Sequence, residues 1–338
     1  TLQPEATALP TPGAAHAVVG GGGTMGADVA VVLPRAACRT TVIEPDAARA
    51  AALPARVAEN LKTIGREAQV AQLATAASLD QVDWASVDLV IECVPERLDI
   101  KQALFAELVR RARPDAILAS NSSSFPISAI GQGLATRERM LGLHFFMPAH
   151  LVPLVEVVMG PQSDAELATR LCGFMRACGS VPVQVHKDKP GFLANRMQHA
   201  LAREAFALID EGVASPADVD AAVRFGFGFR FLAAGPVLQR DHAGIEVHTA
   251  AAATMYPTLS NTDVPAQALR DKVAQGTLGM KTGKGFFDWP EDRKQAERAR
   301  YDTLLRQGLA LLASELPTIE PPTATSPTDT PSTTGARA

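Results

Sequence analysis

A short apolar run, a glycine-rich turn and a second apolar run open the ordered part of this chain, in Val18-Val-Gly-Gly-Gly-Gly-Thr-Met-Gly26 followed by Ala27-Asp-Val-Ala-Val-Val-Leu33. The spacing Gly21-x-Gly23-x-x-Gly26 narrows the available folds more than any other stretch. Glycines so placed permit a tight strand-to-helix turn, let the backbone approach a pyrophosphate and let the helix pack on the sheet. The N–H groups at the helix start then point at the anion. Alone, this spacing also fits a glycine-rich loop that binds nothing. Here Thr40-Thr-Val-Ile-Glu44 ends a second strand in an acid, 18 positions after Gly26, close to the spacing of a ribose-binding carboxylate. Glu44 would accept hydrogen bonds from ribose hydroxyls and repel a 2′-phosphate, so NAD is expected over NADP.

Strand-like and helix-like runs alternate from about residue 15 to 187. Strands are expected at His16–Gly20, Thr40–Ile43, Asp88–Cys93, Ala116–Ser120, Met140–His144, Leu154–Val158 and Val181–Val185, and helices at Ala47–Arg66, Leu98–Arg113 and Asp164–Ala177. Such alternation predicts an α/β, Rossmann-like, doubly wound parallel sheet. Long helical patterns begin at Gly191–Gly212 and Pro216–Phe225 and continue through residues 188–316, an all-α second domain. Residues 1–14 and the Pro/Thr/Ser-rich tail, 317–338, hold too little apolar surface to order themselves.

One imidazole and one carboxylate stand inside two apolar runs, Gly142-Leu-His-Phe-Phe-Met-Pro148 and Leu154-Val-Glu-Val-Val158. Burying His144 and Glu156 as a hydrogen-bonded pair is far less costly than burying each alone. A carboxylate on one ring nitrogen fixes the tautomer and raises the basicity of the other, which makes a proton-transfer catalyst. The same residues also fit an isolated core histidine with an unrelated glutamate.

The 338 residues are 47% hydrophobic, enough for two domains with large cores. A net charge of −4 without a basic cluster excludes nucleic acid and anionic membranes as expected partners. Cys38, Cys93, Cys172 and Cys178 lack metal-ligand spacing and read as small core residues of a reducing compartment. No metal is expected: Asp241, His242 and His248 fit no standard zinc spacing. With no apolar run long enough to span a bilayer and no signal-like start, the expected location is cytoplasmic.

Taken in order, GGGGTMG, IECVPERLDIK, SNSSSFPIS, GLHFFMP, LVEVV, KDKPGFLANR and MKTGKGFFDW resemble the L-3-hydroxyacyl-CoA dehydrogenase family over roughly residues 15 to 290. The resemblance implies an NAD-binding Rossmann-like domain, a helical domain that forms a homodimer, and a small-molecule substrate in the cleft between domains. It matches Gly21, Gly23, Thr24, Met25, Gly26 and Glu44 to the dinucleotide fingerprint. Glu96 and Lys101 match a pair near the nicotinamide half, Ser123 also contacts cofactor, and Lys281 matches a lysine reaching it from the second domain. Ser123, His144, Glu156 and Asn195 match the catalytic set. Oxidising a secondary alcohol removes a hydride, which NAD takes, and a proton, for which His144 is the natural base. Glu156 would orient the ring, and Ser123 and Asn195 would hydrogen-bond the substrate oxygen. Each has a plainer alternative: the serine loop as a helix cap, Asn195 and Lys101 as solvated helix residues. The apolar neighbours Phe192, Leu193 and Met197 favour a buried Asn195.

Three departures bear on the substrate. The family's usual Phe-Phe-Asn-Pro is here Phe145-Phe-Met-Pro148, so Met147 cannot supply the asparagine's hydrogen bonds. The segment from Glu44 to Glu92 is shorter than in typical members, where a helical pair grips CoA. Gly226-Phe-Gly-Phe-Arg-Phe231 resembles relatives acting on free hydroxy acids, the L-gulonate 3-dehydrogenase, lambda-crystallin and carnitine dehydrogenase branch, with Arg230 as a candidate carboxylate anchor. The ending Lys281–Trp289 resembles the acyl-CoA enzymes instead. The expected reaction is oxidation of an L-3-hydroxyacyl-CoA to the 3-ketoacyl-CoA, as in β-oxidation of fatty acids. The alternatives are a dehydrogenase of a free 3-hydroxy acid and a catalytically silent, crystallin-like binding protein.

Overall fold

Eight strands form one sheet: β1 (His16–Gly20), β2 (Arg39–Ile43), β3 (Leu73–Ala76), β4 (Leu89–Glu92), β5 (Ile117–Ser120), β6 (Met140–Phe145), β7 (Leu154–Met159) and β8 (Val181–Val185). The computed structural model describes residues 9–319. Strand order is β3-β2-β1-β4-β5-β6-β7-β8. Every neighbouring pair is parallel except β6 and β7, which run antiparallel. The doubly wound, mostly parallel sheet expected from alternation is present, with this one reversal. Residues 146–153 are too few for a helical crossover, so the chain turns back on itself. β3 is an additional strand: Leu-Ala-Thr-Ala offers no apolar run to mark it.

All residues of β1, β4, β5 and β6 are buried, as expected for strands covered on both faces. Helices α1 (Thr24–Val32), α2 (Ala47–Lys62), α3 (Leu98–Arg111), α4 (Ile127–Ile130) and α5 (Ala165–Ala177) provide that cover. Ala17 and Val19, Leu89 and Ile91, and Leu141 and Leu143 pack in one core with α1, α2 and α5. The intervening residues point to the opposite face, where α3 brings Leu104 to 3.6 Å from the place a Gly20 Cβ would occupy. His144, Glu156, Glu92 and Ser120 share the phase of that second face.

α2 is capped by Asp46, whose side chain accepts from the Arg49 N–H, and it ends at Lys62 rather than Arg66 because the chain turns through Gly65 at φ 69°. α5 starts on the Asp164 side chain, which accepts from the Glu166 and Leu167 N–H groups.

The chain divides into two compact units. The first comprises residues up to Ser122, Ile127–His186 and Pro317 onward; the second comprises Ser123–Pro126 and Lys187–Leu316. The second unit is helical, with α6 (Ala194–Asp210), α7 (Pro216–Ala222), and further helices at Leu238–Ala243, Ile245–Met255, Gln267–Ala274 and Glu291–Leu311. The helix expected to reach Phe225 stops at Ala222 and continues as a wider π turn, Val223–Phe227, kinked at Gly226.

Two stretches expected to be disordered reach into the described residues. Pro12–Ala14 forms a turn, and both Leu9 and Ile319 pack against the core of the first unit. The expectations for residues 1–8 and 320–338 lie outside the described residues. Among the described residues no helix is long and apolar enough to cross a membrane.

Candidate active site

Two of the three spaced glycines meet a steric requirement, and the third leaves an opening. Gly21 has φ +108°, and a Cβ there would sit 2.8 Å from the Cys93 carbonyl oxygen. A Cβ on Gly26 would fall 1.7 Å from the Gly21 carbonyl oxygen, inside the turn. Gly23 is the cap residue before Thr24 and Met25, and nothing lies within 4 Å of its Cβ position. That opening at the first turn of α1 is the space a phosphate needs to meet backbone N–H groups.

Glu44 is buried beside this turn. Its Oε2 accepts from the Gly22 N–H at 3.1 Å, and its Oε1 accepts from the Asp46 N–H at 2.8 Å and from Arg49 Nη2 at 3.0 Å. Burial pushes the Glu44 carboxyl up, but the Arg49 guanidinium and the two backbone donors outweigh it and hold it below its ordinary value. A carboxylate has about four acceptor positions, so three donors leave capacity for a ribose hydroxyl.

A second polar cluster lies at the carboxyl ends of β4 and β5. Lys101 Nζ sits 2.8 Å from Glu92 Oε1 and 3.1 Å from Glu96 Oε2. Ser120 Oγ donates to Glu92 Oε2 at 2.6 Å, the Val94 N–H donates to Glu92 Oε1 at 2.8 Å, and Ser122 Oγ donates to Glu96 Oε1 at 2.7 Å. Lys101 is 1% exposed and Glu92 0%, so Lys101 is no solvated helix charge. The structure joins the expected pair Glu96 and Lys101 and adds Glu92 and Ser120, which sequence reasoning missed. Their signal was phase: each closes a buried strand with a polar side chain.

His144 and Glu156 stand directly opposite each other across β6 and β7. His144 Nδ1 lies 2.8 Å from Glu156 Oε2, and both side chains are buried. With Nδ1–H donated to the carboxylate, Nε2 is the basic nitrogen. The Phe146 ring meets the imidazole edge-on, centroids 4.6 Å apart. A Cβ on Gly142 would press to 2.8 Å from Val158 Cβ, so glycine lets the two strands approach beside the pair. The Phe145 N–H donates to Asn121 Oδ1 at 2.9 Å, and the Ala149 N–H donates to buried Asp28 Oδ2 at 3.1 Å. These bonds fix both ends of the segment that leaves His144. Met147, within it, is 62% exposed.

Four of the expected residues belong to the second unit: Ser123, Asn195, Arg230 and Lys281. Asn195 lies in the first turn of α6 and is half-buried rather than buried, because Leu193 and Met197 beside it face outward. It lines a cavity of about 940 Å³ within that unit, together with Arg196, His199, Arg203, Phe206 and Arg270. Arg230 is exposed at the end of the short helix Gly228–Arg230, and Lys281 is exposed in the tight turn Met280–Thr282.

Comparison with known proteins agrees with these features. A family model described as 3-hydroxyacyl-CoA dehydrogenase, NAD binding domain, matches residues 16–189, and the corresponding C-terminal domain matches residues 191–289. The chain is 36% identical over 288 residues to a 5-formyl-3-hydroxy-2-methylpyridine 4-carboxylate 5-dehydrogenase of Mesorhizobium japonicum, spanning 82% of this chain and 93% of that protein. It is 33% identical over 294 residues to the mitochondrial hydroxyacyl-coenzyme A dehydrogenase of Homo sapiens, spanning 81% and 91%. A crystal structure of a 5-formyl-3-hydroxy-2-methylpyridine 4-carboxylic acid 5-dehydrogenase, described as an NAD+-dependent dismutase, superposes with a TM-score of 0.82 at 29% identity, covering 88% of this chain and 98% of that one. The (S)-3-hydroxybutyryl-CoA dehydrogenase of Ralstonia eutropha gives 0.67 at 28% identity, covering 82% and 99%.

Proposed function

This chain belongs to the 3-hydroxyacyl-CoA dehydrogenase family and is an NAD-dependent oxidoreductase acting on CH–OH groups, and from that premise we propose that it oxidises a small free acid rather than a CoA thioester. The observation that carries this reading is the TM-score of 0.82 to a dehydrogenase named for a free pyridine carboxylic acid, against 0.67 for a 3-hydroxybutyryl-CoA enzyme. Met147, where the acyl-CoA enzymes usually carry asparagine, supports the same choice. A CoA thioester is the second reading, supported by the family descriptions and by the human relative.

Bound NAD supplies the hydride acceptor. The chain does the rest. His144 Nε2 takes the hydroxyl proton as the carbon–hydrogen bond breaks, and Glu156 holds the ring and stabilises its protonated form, as an acid does in a hydrolase triad. Glu44 and the turn through Gly21, Gly23, Thr24, Met25 and Gly26 would hold the adenosine ribose and pyrophosphate, and Glu96 and Lys101 the remainder, with Lys281 the lysine that the family resemblance assigns to the cofactor. Ser123 and Asn195 donate neutral hydrogen bonds to the substrate, and Arg230 grips its carboxylate. We further propose that the helical unit pairs with a second copy of this chain. Phe192 and Ala234 are its only buried hydrophobic residues among the described ones, whereas Phe225, Phe229, Val237, Tyr256 and Val273 are each more than half exposed.

Following NADH absorbance with 3-hydroxybutyryl-CoA and with a panel of free hydroxy acids and pyridine carboxylates separates the readings. Turnover with free acids is expected. Turnover with the thioester only overturns this choice, and turnover with neither leaves a binding protein.

A further inference from the structure

Sheet order places the Glu92–Lys101–Glu96 cluster, whose Glu92 and Lys101 are buried, on the path of the dinucleotide. Glu44 directly follows β2, the glycine turn follows β1 and His144 lies on β6, while the sheet runs β2-β1-β4-β5-β6. A cofactor whose ribose meets Glu44, and whose reacting ring meets an alcohol beside His144, must pass over the carboxyl ends of β4 and β5. Strands lie about 4.8 Å apart, so the distance from β1 to β6 is roughly 14 Å. Glu92 is the last residue of β4 and Ser120 the last of β5. Gly21 touches the chain just beyond Glu92, since its Cβ position is 2.8 Å from the Cys93 carbonyl oxygen.

The cluster holds two carboxylates and one ammonium, a formal charge of −1. Arg97, the nearest cation in sequence, is engaged with Asp99 at 2.6 Å on the surface. Glu92 cannot swing away: Ser120, the Val94 N–H and Lys101 bond both of its oxygens. At 0% and 1% exposure, Glu92 and Lys101 are shielded from solvent screening. Alcohol oxidation breaks the carbinol C–H bond, sends its electron pair as hydride to the ring and the O–H proton to His144. A bound nicotinamide would thereby lose its single positive charge.

We propose that the Glu92–Lys101–Glu96 cluster sets the oxidation-state preference of the bound cofactor, its net negative charge stabilising cationic NAD+ relative to neutral NADH. Glu92 is then a positioning residue with an electrostatic role of its own. This inference rests on NAD binding alone and is independent of which alcohol is oxidised.

The test measures NAD+ and NADH dissociation constants by calorimetry and by NADH fluorescence. Glu92→Gln makes the cluster neutral and should weaken NAD+ about tenfold more than NADH, the size expected for a unit charge roughly 12 Å away at an effective dielectric constant near 20. Glu96→Gln removes the same charge from a site 38% exposed, which guards against a folding failure at Glu92; it should move the ratio the same way by a smaller factor. The double variant Glu92→Gln/Lys101→Met returns the charge to −1 and should restore the ratio towards that of the parent. Equal weakening of both cofactor forms in the two single variants, or a double variant that does not return, overturns the proposal and leaves a purely structural cluster.

Discussion

His144 and Glu156 owe their effect to one cross-strand register: with both buried and 2.8 Å apart, the ring has a single orientation. Replacing His144 by Ala should reduce turnover at least about 10³-fold while NADH binding, read by fluorescence, stays within a few-fold. Loss of binding instead would remove it as the base. Glu156→Gln keeps the shape but not the charge, and should lower kcat by roughly 10²- to 10⁴-fold with little change in KM. His16 makes a separate prediction. Burial, helped by Arg39, lowers its pKa below 6.5, and its ring bonds Ser86 Oγ and Thr41 Oγ1. The unfolded chain therefore takes up the proton first, so stability is full above about pH 6.5 and declines as pH falls below it. Thermal melts at about pH 7.5 and 5.5 should show a larger drop for the parent than for His16→Gln; equal drops would rule His16 out as a source. The histidine and glutamate were legible because a polar residue inside an apolar run demands a partner. Glu92 was not, because its partner Lys101 stands on another element and looks solvated in sequence.

The turn between β1 and α1 was readable in full, since Gly21 and Gly26 answer steric needs and Gly23 leaves the opening that sequence spacing records. Gly26→Ala should abolish NAD binding and lower stability by at least about 1–3 kcal/mol, seen as a reduced Tm, because its Cβ would collide with the Gly21 carbonyl. A variant that melts and binds as the parent does would contradict the packing described. Seven of the eight strands follow from apolar runs, and β3 escapes because an edge strand of four small residues carries no such run. The reversal between β6 and β7 was available from loop length, which alternation alone obscured. It matters for the site: an antiparallel pair sets His144 directly opposite Glu156.

Across the whole molecule the two units differ in how they spend their apolar residues. The sheet unit encloses most of its own; the helical unit presents Phe225, Val237 and Tyr256 to the outside, more than a stable monomeric surface ordinarily carries. Light scattering on the eluted protein should give twice the chain mass of 35.6 kDa, and a mass equal to one chain would refute the pairing. Ile319 packs on the core and its carbonyl accepts from Arg66 Nη2 at 2.9 Å, so composition understated how far order extends into the Pro/Thr-rich tail. A few apolar side chains meeting an existing surface are enough to order a short segment that could not fold alone.

Local chemistry was written in the chain: glycine spacing specifies a turn, apolar periodicity specifies strands and helices, and a buried acid beside a buried imidazole specifies proton transfer. Each depends on neighbours a few residues apart, whose geometry bonding and sterics largely dictate. The Glu92–Lys101–Glu96 cluster, the phase that puts His144 and Glu92 on one face, and the anchoring of Ile319 depended on folding. They join residues from separate elements, and the distances between those elements are set by packing.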